Sequence, residues 1–145
     1  MPRYKISIEF DGTRYSGWQK QPNSNTVEEE IESALSRILT QPVDIIGQGR
    51  TDSGVHAEGQ VAHFDHPDEL DPARILYALL GVLPHDIAVW DIQQVPEDFH
   101  ARFDATARRY RYQIIRRPAP LLRGVSEMVL DDLNLDAMHR CAHKI

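Results

Sequence analysis

Two stretches of this chain repeat apolar residues at helical spacing, and each is flanked by short runs that alternate apolar and polar side chains. That order of periods constrains the fold more than any other feature of the sequence. In the first stretch Thr26 offers an N-cap, Glu29 completes a capping box, and Val27, Ile31, Ala34, Leu35, Ile38 and Leu39 form one stripe that Pro42 closes. In the second, Asp71 and Pro72 suit the N-cap and first helical position, Ile75, Leu76, Leu79, Leu80 and Leu83 form the apolar face, and Pro84 ends it. Residues 4–10 alternate as a half-buried strand before the turn Asp11-Gly12-Thr13, and residues 43–46, 60–64 and 87–95 read as three more strands. Strand, helix, strand, strand, helix, strand predicts an α+β fold: a ferredoxin-like βαββαβ sandwich with both helices on one face of an antiparallel sheet.

This domain is expected to occupy residues 1–97. A new segment opens after Pro96. Residues 108–116 alternate arginine, tyrosine and isoleucine and read as a long strand, Pro118 and Pro120 interrupt it, and a helix begins near Asn134 or Asp136. A helix start with no strand after it predicts that residues 98–145 are the beginning of a second, truncated α/β domain.

With 41% hydrophobic residues among 145, the chain can bury a core. No apolar run approaches the roughly 18 residues of a membrane span, and the N-terminus lacks a signal-peptide core, so a cytoplasmic protein with no membrane partner is expected. The single cysteine, Cys141, excludes an internal disulfide framework and reads as a small, partly buried helix residue. Sixteen basic residues against 22 acidic ones give a net charge of −6, but the charges are segregated. Arg102, Arg108, Arg109, Arg111, Arg116, Arg117 and Arg123 fall in a stretch whose one acid is Asp104. On charge alone this stripe reads equally as a phosphate-binding surface and as a solvated face paired with acids elsewhere.

The densest polar run between two strands is residues 47–57, Gly-Gln-Gly-Arg-Thr-Asp-Ser-Gly-Val-His-Ala. Gly49 and Gly54 permit backbone angles that other residues resist and bracket Arg50 and Asp52. An ionised aspartate so held suits a nucleophile or base, and Arg50 suits phosphate or the aspartate itself. By spacing alone the same residues also read as a capped Asx-turn beside a surface arginine. His56, His63, His66, His85 and His100 show no metal-ligand pattern, and His63 and His66 fall on opposite strand faces, so no metal is expected and His63 reads as structural.

The run Gly-Arg-Thr-Asp-Ser-Gly-Val-His-Ala at 49–57 resembles the catalytic signature of the TruA family of tRNA pseudouridine synthases. Further matches follow in the family's order: Phe-Asp-Gly-Thr-Arg-Tyr-Ser-Gly-Trp-Gln at 10–19, Gly-Gln-Val-Ala-His-Phe at 59–64, Pro-Glu-Asp-Phe-His-Ala-Arg-Phe at 96–103 and Ala-Arg-Arg-Tyr-Arg-Tyr at 107–112. The resemblance implies that Asp52 is the catalytic aspartate, that Tyr110 is the active-site tyrosine, and that Arg50 lies near the extruded nucleotide. It implies two similar α/β domains, a homodimer, tRNA as partner, and uridines of the anticodon stem-loop as targets. Arg102, Arg108, Arg109 and Arg111 are then weaker candidates for RNA contact, and Tyr15 and Trp18 read either as packing or as lining of an RNA cleft. The reaction cuts the uracil N1–C1′ bond, turns the base and joins C5 to C1′. Atoms are conserved, so no cofactor is expected. Family members continue well beyond this length, so an alternative expectation is a catalytically inert RNA-binding fragment of the same fold.

Overall fold

The computed structural model describes residues Met1–Ile145 as two compact units, Met1–Arg108 and Arg109–Ile145. The first is a mixed α/β structure with an antiparallel sheet. Strands β1 (Arg3–Phe10), β2 (Ile46–Gly47), β3 (Ala57–Asp65) and β4 (Ile87–Val95) lie in the order β2-β3-β1-β4, with every neighbouring pair antiparallel. Helix α1 (Val27–Leu39) joins β1 to β2, and α2 (Pro72–Val82) joins β3 to β4.

The period-2 pattern of β1 sorts its side chains. Tyr4, Ile6, Ile8 and Phe10 are buried and meet Val27, Ile31, Ala34 and Leu35 of α1 and Ile75 and Leu79 of α2 in one core. Thr26 caps α1 by accepting from Glu29 N at 3.4 Å, and Glu28, Glu29 and Glu30 in the first turn complement the helix dipole. Thr40, in the left-handed region at φ 55°, ends α1 two residues ahead of Pro42. Asp71 caps α2 by accepting from Ala73 N and Arg74 N, with Pro72 in its first turn.

Four sequence expectations need correction. Residues 43–45 are not strand. Val43 and Ile45 are buried, but Val43 N donates to Ser36 Oγ and Ile45 N to Glu32 Oε1, so side chains of α1 satisfy the amides that a strand neighbour would otherwise take. Leu80 is 75% exposed, because the buried face of α2 centres on Ile75 and Leu79 and turns Leu80 away. Cys141 is exposed, since α3 (Leu135–Ala142) buries none of its residues. The long strand over 108–116 is reduced to β5 (Ile114–Ile115), which pairs in parallel with β6 (Glu127–Met128). Arg109 to Tyr112 carry a strand's alternation but lie outside both strands of the second sheet.

One partly buried polar cluster fastens the segment after β4 to the sheet. Arg3 donates from Nε and Nη2 to the two carboxylate oxygens of Asp65 at 2.7 and 2.8 Å, and from Nη1 to Phe99 O at 2.6 Å. His63, 2% exposed, accepts from Ala101 N at its Nδ1. The hydrogen bond from Arg3 holds the Asp65 carboxyl below its ordinary range, and burial, reinforced by the Arg3 charge, does the same to the His63 imidazole. Both groups bind protons more readily in the unfolded chain. Their stabilisation is therefore complete above the unfolded values of 6.5 and 3.8 and is lost as the pH falls below each toward the depressed folded value. Denaturant midpoints are expected to fall first below pH 6.5 and again below pH 3.8, and His63→Gln should remove the first step while sparing the second. Midpoints that stay level from pH 7 to about 5 in the unaltered chain would contradict this.

Candidate active site

Antiparallel pairing brings three distant segments to one end of the sheet. Phe10, the last residue of β1, faces both Ala57, the first of β3, and Ile87, the first of β4. The loop leaving β1, the loop entering β3 and the turn before β4 consequently share one edge of the fold. The segment with Arg50 and Asp52 is the second of these.

Residues 11–18 form the bed on which it lies. A Cβ at Gly12 would sit 2.0 Å from Val55 O, and one at Gly17, whose φ is +86°, would sit 2.5 Å from Thr51 O. At both places backbone meets backbone with no room for a side chain. Hydrogen bonds join the same surfaces: Trp18 N to Thr51 O at 3.2 Å, Gly54 N to Tyr15 O at 3.3 Å, Ser53 Oγ to Tyr15 O at 3.2 Å, and Gly12 N to His56 Nδ1 at 2.9 Å. Tyr15 and Trp18 are buried, so they pack instead of lining a cleft. The Tyr15 hydroxyl donates to Asp86 Oδ1 at 2.6 Å, and burial together with that carboxylate raises its pKa above the ordinary range. The Trp18 ring fills the space beside Gly47, where a Cβ would lie 2.6 Å from the indole nitrogen.

Asp52 and Arg50 are both exposed. The turn around Asp52 is closed by backbone, with Val55 N donating to Asp52 O and Gly54 N to Tyr15 O. Those amides do not call on the Asp52 carboxylate, in contrast to Asp11 and Asp71, whose carboxylates cap Thr13 N and Ala73 N. The capped Asx-turn that spacing alone allowed for Asp52 is not formed by its carboxylate. Arg50 lies near enough to Glu28 to favour its charged form, against a larger desolvation that raises the Glu28 pKa. Asp52 lines neither the apolar cavity between α2 and β4 nor the one beside Ile115 and Leu122.

The remaining candidates are distributed between the units. Arg102 and Arg108 belong to the first; Arg109, Tyr110 and Arg111 belong to the second and are exposed, Tyr110 by 80%. The Arg102 guanidinium sits 5.8 Å from the centre of the Phe103 ring, which stacks on His100 at 4.2 Å. Arg108 is turned toward the loop: its Nη2 donates to Gln48 O at 2.5 Å. The sequence pattern marks Gly12 only as part of a turn and gives no site role to Gly17 or Gln60, although Gln60 is buried and donates to Gly49 O at 2.7 Å. Gly12 and Gly17 are the local trace of two backbones in contact, since a Cβ at either would meet the backbone of residues 51–55.

The family model described as tRNA pseudouridine synthase matches residues 6–104, and the chain belongs to that family. It is 46% identical over 145 residues to tRNA pseudouridine synthase A of Bacteroides thetaiotaomicron, a match covering all of this chain and 54% of the relative. It is 47% identical over 146 residues to the proteins of that name from Escherichia coli O1:K1 and Escherichia fergusonii, with 97% of this chain and 54% of each relative covered. The chain thus spans about half the length of the curated relatives it matches.

The loop contact makes a graded prediction. Gly17 and Gly54 both have positive φ, +86° and +81°, but only Gly17 is crowded, since nothing lies within 4 Å of a Cβ at Gly54. Gly54→Ala is expected to cost about 1–2 kcal/mol of backbone strain. Gly17→Ala carries the same strain plus the clash with Thr51 O and is expected to cost clearly more, read as the denaturant midpoint. Equal losses at the two positions would show that backbone contact does not hold the loop.

Proposed function

We propose that this chain supplies the catalytic aspartate of a tRNA pseudouridine synthase that converts uridine to pseudouridine in the anticodon stem-loop of tRNA. The observation that carries the reading is the Asp52 carboxylate, exposed on a turn whose backbone is fixed from below by residues 11–18. Family membership supplies the reaction class.

The chemistry asks little beyond position. The N1–C1′ bond breaks, the uracil turns, and C5 bonds to C1′, with a proton leaving C5 and one returning to the base. Attack at C1′, attack at C6 and removal of a sugar proton all need a carboxylate at a fixed distance from the nucleotide, and Asp52 provides it. The uridine must first leave its stack, at roughly a few kcal/mol. Stacking of the base on an aromatic ring, the role read for Tyr110, offsets part of that cost, and Arg50 is read as a substrate contact. Arg102, Arg109 and Arg111 contribute phosphate contacts, which position RNA without reading its sequence.

The strand order β2-β3-β1-β4 with helices after β1 and β3 supports the ferredoxin-like βαββαβ topology. The 109–145 unit, part of the segment expected at 98–145, is read as the opening of a second α/β domain, consistent with relatives of about twice this length. The complete protein is proposed to act in the cytoplasm as a homodimer with tRNA as its partner, using neither metal nor cofactor.

Tritium release from tRNA labelled at uridine C5 tests the reading. The complete gene product is expected to release label, and Asp52→Asn to lower the rate by at least about 1,000-fold, the scale of losing a nucleophile, with tRNA binding retained. Release by the variant at the unaltered rate would refute the role of Asp52. Binding without release in both proteins would identify an RNA-binding module instead.

A further inference from the structure

The two peptide groups that precede Arg50 are held by two side chains from outside the loop. Gln60, buried on β3, donates to Gly49 O, and Arg108 donates to Gln48 O. Gln48 N in turn donates to Val61 O at 2.8 Å. The Arg108 side chain also lies against Gly49: a Cβ there would meet its Nε at 3.0 Å, its Cδ at 3.7 Å and its Cζ at 3.8 Å. Gly49 has no positive φ to explain the absence of a side chain, so the space it leaves is the space Arg108 occupies. With Thr51 O taken by Trp18 N, the carbonyls of residues 48, 49 and 51 are all engaged.

We infer that Arg108 is a positioning residue. Its guanidinium fixes the Gln48–Gly49 backbone and thereby sets where Arg50 and Asp52 stand, a role different from binding phosphate. An arginine suits it because a planar fork can lie against a glycine and still direct an N–H at a carbonyl, which a lysine's single ammonium does less well. The inference rests on the reading of Asp52 given above.

The test uses the complete gene product and three measurements: the single-turnover rate at saturating tRNA, the tRNA Kd with its salt dependence, and the melting temperature. Arg108→Ala is expected to lower the rate about 10- to 100-fold, the scale of a displaced catalytic group, while the Kd changes less than about 2-fold and the salt slope stays the same. Arg108→Lys should recover part of the rate. Gly49→Ala should be harmful beside Arg108 and nearly silent in the Arg108→Ala background, so the pair should be strongly non-additive in both rate and melting temperature. A weaker Kd with a salt slope reduced by about one, at an unchanged saturated rate, would make Arg108 a phosphate contact and overturn the inference. Additive effects of the two substitutions, with Asp52→Asn inactive, would overturn the clamp and leave the function standing. Activity retained in Asp52→Asn would overturn the functional reading itself, whatever Arg108 does.

Discussion

The backbone of residues 51–55 rests on the backbone of residues 12–17, and the placement of Asp52 follows from that contact. Peptide groups are rigid, so two backbones in van der Waals contact fix each other more closely than side chains with free rotamers can. Gly12 and Gly17 make the approach possible, and the bonds from Trp18 N, Gly54 N and Gly12 N seal it. The bed is itself anchored through Tyr15 to Asp86 and by Asp11 N to Asp86 O, so the start of β4 braces the loop leaving β1. All of this requires that the end of β1 and the starts of β3 and β4 coincide, as an antiparallel β3-β1-β4 order brings about.

A second cluster fixes the other end of the unit. Arg3 on β1 bonds Asp65 on β3 and Phe99 beyond β4, while His63 holds Ala101. Past this point the chain turns at His100, whose Nδ1 accepts from Arg102 N and Phe103 N, and reaches Arg108 at the candidate site. The segment 96–108 is therefore tied to the sheet near its start by the Arg3 cluster and to the loop at its end by Arg108. That explains why it belongs to the first compact unit although the sequence pattern places a boundary near Pro96.

The helices and most of the sheet were legible because each depends on local rules. The Asp71-Pro72 cap, the Thr26 cap and the alternation of residues 4–10 act over a few residues, and the structure follows them. Failures occurred where a distant partner decides the outcome. Residues 43–45 look like strand until Glu32 and Ser36 take their amides, and residues 108–113 alternate like a strand but do not form one. Within the site, the sequence marked Asp52 and Arg50 through a motif but gave no means of seeing Arg108 at Gln48, a contact sixty residues apart in the chain. Such a contact leaves one local trace, a glycine at position 49 whose φ does not require one.

A loop that displays a carboxylate must satisfy its own backbone by other means, or the carboxylate is drawn in to cap the nearest amide. Asp11 and Asp71 are drawn in, each bonding amides two residues ahead. Around Asp52 the competing demands are met elsewhere. Tyr15 O accepts Gly54 N and the Ser53 hydroxyl, Asp52's own carbonyl accepts Val55 N, and Trp18, Gln60 and Arg108 serve the carbonyls on the approach. The order of the loop is thus carried by groups other than the side chain proposed to react. A carboxylate arranged this way can engage a partner without first breaking a structural bond, which is the preorganisation that the role proposed for Asp52 calls for.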